Sequence, residues 1–344
     1  MKRQLGDRLE AGKTLSHLGL LSWELAEYDT AIQYFEQAIA IGQELGDAQL
    51  EGSALNNLSL VYDELGDYER SLEQYRKALE LYSRTDFPRG ESDTLGNIGG
   101  VYYLLGRYRE AIDYYEKALA ISEQLESKPS MSQDLGNLAL CHLGLGEVSE
   151  ALERFDQALS LAREAGLEKE TADWLKGKGD AYHDTGRHSE GLELYRQALE
   201  AYESAGLKRE LVEALNELAA LHLSLGDLAS AEAYQRQALE LARSIGFTRG
   251  AVASLRSLGE LEWRRERYEE AATFLREALS GAVDLDDPNL AASCRTQLVL
   301  TLRDQGKLEE ALDLAGSSAE IARGLESKLH RAEALYALGD LELR

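Results

Sequence analysis

LNNLSLVYDELGDYERSLEQYRKAL, residues 55–79, returns forty residues later as LGNIGGVYYLLGRYREAIDYYEKAL (95–119). It returns once more as LGNLALCHLGLGEVSEALERFDQAL (135–159). The register holds across all three copies, so the chain is a tandem array of one supersecondary unit. A length of 344 residues would suggest two domains, but a repeat of fixed period favours one elongated solenoid over 1–344.

Reading every fortieth residue exposes the columns. Leu15, Leu55, Leu95, Leu135, Leu175, Leu215, Leu255 and Leu335 share one, broken by Arg295. Three residues on run Leu18, Leu58, Ile98, Leu138, Lys178, Leu218, Leu258 and Leu298. Beside them stand small residues: Gly19, Ser59, Gly99, Ala139, Gly179, Ala219 and Gly259. Spacings of three and four put these on one face of a first helix, where small side chains let a second helix come close. The second helix carries alanine columns (Ala31, Ala111, Ala151; Ala38, Ala78, Ala118) with aromatics between them at Phe35, Tyr75, Tyr115, Phe155 and Tyr195.

Turns punctuate the pattern. Gly66, Gly106, Gly146, Gly186, Gly226 and Gly306 stop the first helices by left-handed capping. Ala26 and Glu266 replace that glycine, so the turns of repeats one and seven are expected to be tighter to satisfy or less regular. Gly46, Gly166, Gly206 and Gly246 mark the step between repeats. Just beyond that step, Pro88, Pro129 and Pro288 open first helices, with Asp287 placed to cap the last. Eight helix pairs are predicted, at about 8–46, 47–86, 87–126, 127–166, 167–206, 207–246, 247–286 and 287–326. A final helix over 327–344 has no partner. It reads as a polar cap or as an array cut inside a repeat, and its signature residues Leu335, Leu338 and Gly339 favour the cut.

Composition narrows the function classes. A formal net charge of −25 disfavours nucleic acid, which needs clustered Lys and Arg, and disfavours anionic membrane surfaces. It suits a basic or amphipathic protein partner. Cys141 and Cys294 occupy different repeat positions and read as small buried hydrophobes of a reducing compartment. The polar N-terminus and the lack of a long apolar run leave the cytoplasm as the expected location.

The pattern of leucine, leucine and small residue, tyrosine, glycine-ended turn and two alanines seven apart resembles the tetratricopeptide repeat, almost end to end. The usual unit has 34 residues; here it has forty, so both helices are expected to be longer. The forty-residue form resembles the repeats of kinesin light chains and spindle-orientation adaptors, and also those of bacterial peptide-receptor and signalling regulators. The resemblance implies an all-α, right-handed superhelix whose first helices line a concave groove for a peptide or partner helix. In the kinesin-light-chain-like members, asparagines before the second leucine grip the peptide backbone. That column reads His17, Asn57, Asn97, Asn137, Gly177, Glu217, Ser257 and Gln297, an asparagine ladder in repeats two to four. An amide offers the donor and acceptor that an extended main chain requires. The family's dicarboxylate clamp for chaperone tails is matched at Lys176 of LKGKGD, but Asp180 and Glu217 stand where its asparagines belong, so that clamp is not assembled.

Column phase gives further groove candidates. Asn56, Lys176, Asn216 and Arg256 share one column, and Asp180 and Glu260 another four residues on. The N-terminal half of the groove thus reads as apolar with amides and glycines, and the C-terminal half as charged. Repeats two to four are expected to hold an extended segment, with repeats five to seven selecting polar or basic side chains. Lys178 reads as a lysine snorkelling from a leucine column into water. His142 and His222 stand in a tyrosine column as packing substitutes. His183 and His188 lack the one-face spacing of a two-histidine metal site. No G-x-S-x-G, P-loop or HExxH occurs, and the carboxylates mostly lie at helical spacing from Arg or Lys. The expectation is a non-enzymatic interaction module without cofactor or metal. A sensor that controls an effector, and a self-assembling scaffold, are the alternatives.

Overall fold

The computed structural model describes residues 2–322, and every regular element among them is an α-helix. The first helices of the repeats are α1 (Lys2–Glu24), α3 (Ala48–Glu64), α5 (Pro88–Leu104), α7 (Lys128–Gly144), α9 (Glu168–Asp184), α11 (Lys208–Ser224), α13 (Thr248–Arg264) and α15 (Pro288–Asp304). Their partners are α2 (Tyr28–Leu45), α4 (Tyr68–Thr85), α6 (Tyr108–Gln124), α8 (Val148–Ala165), α10 (His188–Ser204), α12 (Leu228–Ser244), α14 (Tyr268–Asp284) and α16 (Leu308–Ala322). Eight helix pairs result, as the columns require. The unpaired helix expected over 327–344 lies outside the described residues.

Each boundary has a local cause. After α3, Gly66 adopts φ +72°, and the Asp67 amide turns back to the Tyr62 carbonyl at 2.9 Å, which satisfies an orphan helix-end acceptor. Ala26 and Glu266 take the same left-handed geometry at φ 59° and 60°. The two turns without glycine are therefore as regular as the others, and they carry the Cβ crowding instead. Between repeats, Asp86, Glu126 and Asp286 do the same at φ 50–52° where Gly46 and Gly166 stand elsewhere. Asp287 caps α15 by accepting from the Leu290 amide at 2.9 Å, and Pro88 and Pro288 sit in first turns, where no donor is lost.

The chain divides into two compact units, Met1–Gly191 and Leu192–Arg344. In the first, a core cluster joins Leu72 and Tyr75 of α4 to Ile98 and Val101 of α5, Tyr115 of α6, and Leu138 and Cys141 of α7. Successive repeats thus share one core. Small residues at the column of Gly99 are a packing requirement, since a Cβ there would stand 2.9 Å from the Tyr115 ring. In the second unit, Leu239, Val252, Leu255, Leu258, Ala278 and Cys294 form the corresponding cluster. Cys141 and Cys294 are both free and buried, and burial pushes the Cys141 thiol up to about 12.

Candidate functional site

In the first unit, a recess of about 540 Å3 opens between the first helices α3, α5 and α7. The ladder column contributes Asn97 and Asn137 to its lining, from equivalent positions on successive first helices. Both amides are half-buried, and neither has a hydrogen-bond partner among the described residues. Asn57 is half-buried and equally unpaired, but lies outside the lining of this recess.

The neighbouring asparagines behave differently. Asn56 is 9% exposed, and its Nδ2 donates to Thr94 Oγ1 of the next first helix at 2.9 Å. Asn216 is bound on three sides: its Oδ1 accepts from Gln235 Nε2 and Ser254 Oγ, each at 2.7 Å, and its Nδ2 donates to the Gly250 carbonyl at 3.4 Å. The groove contact expected of both gives way to a clasp between adjacent repeats. The physical reason is rotation around the helix. One residue is about 100° of turn, so the column of Asn56 faces the next first helix, while Asn97 and Asn137 of the neighbouring column line the recess.

The recess is also more acidic than the columns suggest. Asp63, Glu64, Asp93 and Asp134 line it, and no Lys or Arg does. This corrects the expectation that the N-terminal half holds only apolar, amide and glycine positions. Asp134 is 6% exposed; its Oδ2 accepts from Ser122 Oγ at 2.7 Å, and its Oδ1 has no partner among the described residues. Burial, with the nearby Asp93 charge adding to it, pushes the Asp134 carboxyl up to about 6. Burial likewise raises Asp93 and Asp63. The Tyr75 hydroxyl donates to Asp63 Oδ2 at 3.0 Å, and Asp63 Oδ1 is shielded from solvent without a hydrogen-bond partner. Ser92, the hydroxyl nearest in sequence to these acids, donates to the Ala118 carbonyl at 3.2 Å and is 5% exposed. A sequence signal for Asp134 existed. Its column otherwise reads Ala54, Thr94, Trp174, Ala214, Ser254 and Cys294, in which a carboxylate is out of place.

The other candidates lie elsewhere. Lys176 and Asp180 are half-buried on α9, in the first unit. In the second unit, Glu217 is exposed. Arg256 donates to Ser293 Oγ at 3.0 Å, and Glu260 pairs with Arg264 at 2.7 Å within its own helix. Glu260 also borders a small cavity of about 190 Å3 with Trp263, Gln297 and Leu300. Trp263 is 39% exposed and donates to Asp304 at 2.9 Å.

Five charged or titratable residues depart from their sequence reading or refine it. Lys178 keeps its stem buried, but its ammonium ends on Asp156 of α8 rather than in water. His142 and His222 pack in the tyrosine column as expected, and each also meets an acid five residues on, Glu147 at 2.7 Å and Asp227 at 3.1 Å. His183 and His188 come together across their turn, with Nδ1 atoms 2.7 Å apart, a contact that helical spacing did not disclose. Burial and the second imidazole lower the His183 pKa. Among the described residues, no group of three or more His, Cys, Asp or Glu is placed to hold a metal ion. No described helix is long and apolar enough to cross a membrane.

The described residues form successive helix pairs, and in the first unit two amides without partners line one recess. Family models described as tetratricopeptide repeat match residues 10–84, 90–164, 134–204, 170–244, 210–282 and 291–326, and the chain belongs to that family. No curated protein matches it. Solved structures with a similar fold include a signal transduction ATPase with numerous domains from Pyrococcus horikoshii, which carries a tetratricopeptide repeat sensor. It is 16% identical, with a TM-score of 0.62, and the match covers 96% of this chain and 47% of that one. The apo form of RapI is also 16% identical, with a TM-score of 0.57 over 79% of this chain and 98% of that one. BtubC (BKLC) from P. vanneervenii is 16% identical, with a TM-score of 0.50 over 60% and 92%. At such identities the likeness is one of fold. The fold supports an adaptor or regulatory role through protein partners.

Proposed function

We propose that the chain is a protein-interaction module whose first-helix groove in repeats two to four holds an extended segment of a partner protein. One observation carries the reading: Asn97 and Asn137 stand one repeat apart, half-buried, without intrachain partners, on the lining of a single recess. Primary amides in that state satisfy successive peptide groups of an extended strand, and the packed repeats hold them in place before the ligand arrives. A net charge of −25 favours a basic or amphipathic segment. Two free, buried thiols suit a reducing compartment, the cytoplasm. The chain's length match to a repeat array named as a sensor supports a regulatory variant of the same reading, in which occupancy of the groove is passed to an effector.

Selection from a phage-displayed library of random dodecapeptides on the full chain, followed by titration calorimetry, tests this directly. Changing Asn97 and Asn137 to alanine together removes about four hydrogen bonds of ~0.5–1.5 kcal/mol each and is expected to weaken a selected peptide by roughly 30-fold or more. Unchanged affinity in that double variant would retire the groove reading.

A further inference from the structure

The repeats are close copies, so a place filled in some and open in another is informative. Between adjacent first helices, the position of Asn56 faces a residue thirty-eight further along the chain. Asn56 meets Thr94, and Asn216 meets Ser254, by hydrogen bonds of 2.9 and 2.7 Å. At Gly136 the slot is filled from the other side, because a Cβ there would run into the Trp174 indole. At Gly96 nothing fills it. The residue opposite is Asp134, and a Cβ built on Gly96 would have only Asp134 Oδ1 within 4 Å, at 3.9 Å. The one slot without a side chain thus ends on a carboxylate oxygen that has no donor, on a residue 94% buried (6% exposed).

We propose that this slot takes a cationic side chain, a guanidinium or ammonium, of the segment lying in the groove, seated beside Gly96 on the carboxylates of Asp93 and Asp134. The inference rests on the groove reading and adds the chemistry of the anchor. Many carboxylates of this chain pair with an Arg or Lys three or four residues away, such as Glu110 with Arg107 and Glu73 with Lys77. Asp93 makes no ion pair among the described residues; Arg89, one turn back on α5, tempers its carboxyl from a distance, and no Lys or Arg lines the recess. A metal ion is a poor fit, since these oxygens are not gathered into a group of three that could coordinate one. A guanidinium is planar, spans several ångströms and presents five donors, so it reaches two separated carboxylates at once. Asn97 and Asn137 at the same recess remain for the main chain on either side of the anchor.

The test extends the dodecapeptide selection on the full chain. Selected peptides are expected to share one position occupied by Arg or Lys, and replacing that Arg with citrulline, its neutral isostere, is expected to weaken binding about tenfold or more. Gly96→Asn keeps every carboxylate and closes the slot in the manner of Asn56, and Asp93→Asn removes one charge at an exposed site. Each is expected to abolish the preference for arginine over citrulline while the fold, read by circular dichroism, is unchanged. Peptides that depend on Asn97 and Asn137 but show no basic position, or whose arginine is indifferent to both variants, would overturn the anchor and leave the groove standing. Peptides indifferent to the asparagines as well would overturn both.

Discussion

Replacing Asp134 with asparagine is expected to stabilise the protein at neutral pH and to do nothing for it in acid. Asp134 is 6% exposed, and burial lifts its carboxyl from 3.8 to about 6. A carboxyl lifted that far differs by about 3 kcal/mol between its two protonation states. The sign follows from which state holds the proton more tightly. The folded protein binds it up to about pH 6, while the unfolded chain releases it near 3.8. Below 3.8 the burden is absent; it grows between there and about 6, and stays constant above. Asparagine carries no charge, so the variant escapes this burden, and its amide oxygen still accepts the Ser122 hydroxyl now 2.7 Å from Asp134 Oδ2. The net gain at pH 7.5 is therefore about 3 kcal/mol, a rise of roughly 4 °C in midpoint for a chain of this size. Thermal unfolding followed by far-ultraviolet circular dichroism at pH 3.5, 5 and 7.5 reads it. A difference between variant and wild type that stays flat across the three pH values would refute the burial argument.

Five other substitutions separate structural from functional residues. Ala26→Gly and Glu266→Gly relieve a left-handed residue at φ 59° and 60° and should each add about 0.5–1 kcal/mol by calorimetry, net of glycine's chain entropy. Loss of stability in both would show that these turns are held by something other than backbone geometry. Asn216→Ala strips the acceptor from Gln235, itself 2% exposed, and should cost ~1–3 kcal/mol in chemical denaturation. Asn56→Ala should cost less, because Thr94 keeps the Gly90 carbonyl at 2.6 Å, and it should leave the affinity of any groove peptide unchanged. Gly136→Ala pushes a methyl group into the Trp174 indole and should destabilise by about 1–3 kcal/mol, with red-shifted tryptophan emission as the local signature. A neutral effect would mean that α7 and α9 shift apart freely.

Most of the fold could be read from the forty-residue step, because each repeat restates the same packing rule. Gly99 against Tyr115, Asp287 capping α15 and the left-handed Gly66 are all local consequences of residue type. The turns at Ala26 and Glu266 were harder to read. A neighbouring pair of packed helices imposes the left-handed conformation even where the residue resists it, and tertiary context set that outcome. The groove was legible only in part. Column phase identifies a helix face but leaves open which of two adjacent columns meets the next repeat, and Asn56 and Asn97 fall on opposite sides of that division. Asp93 shares its column with Asp173 and Glu213, a run of exposed-type charges that column phase alone does not tie to a recess. Asp134 was passed over because its column reads as core. It is core, and a carboxylate kept there is the anomaly that matters.

The central claim is that an extended partner segment lies along α5 and α7 with its main chain on Asn97 and Asn137. A crystal structure of the full chain with a selected dodecapeptide measures this most directly. The expected result is a strand in the recess, with both amides within about 3.2 Å of successive peptide groups. A peptide bound on the second-helix side, or one in the recess that leaves both amides unengaged, would contradict it.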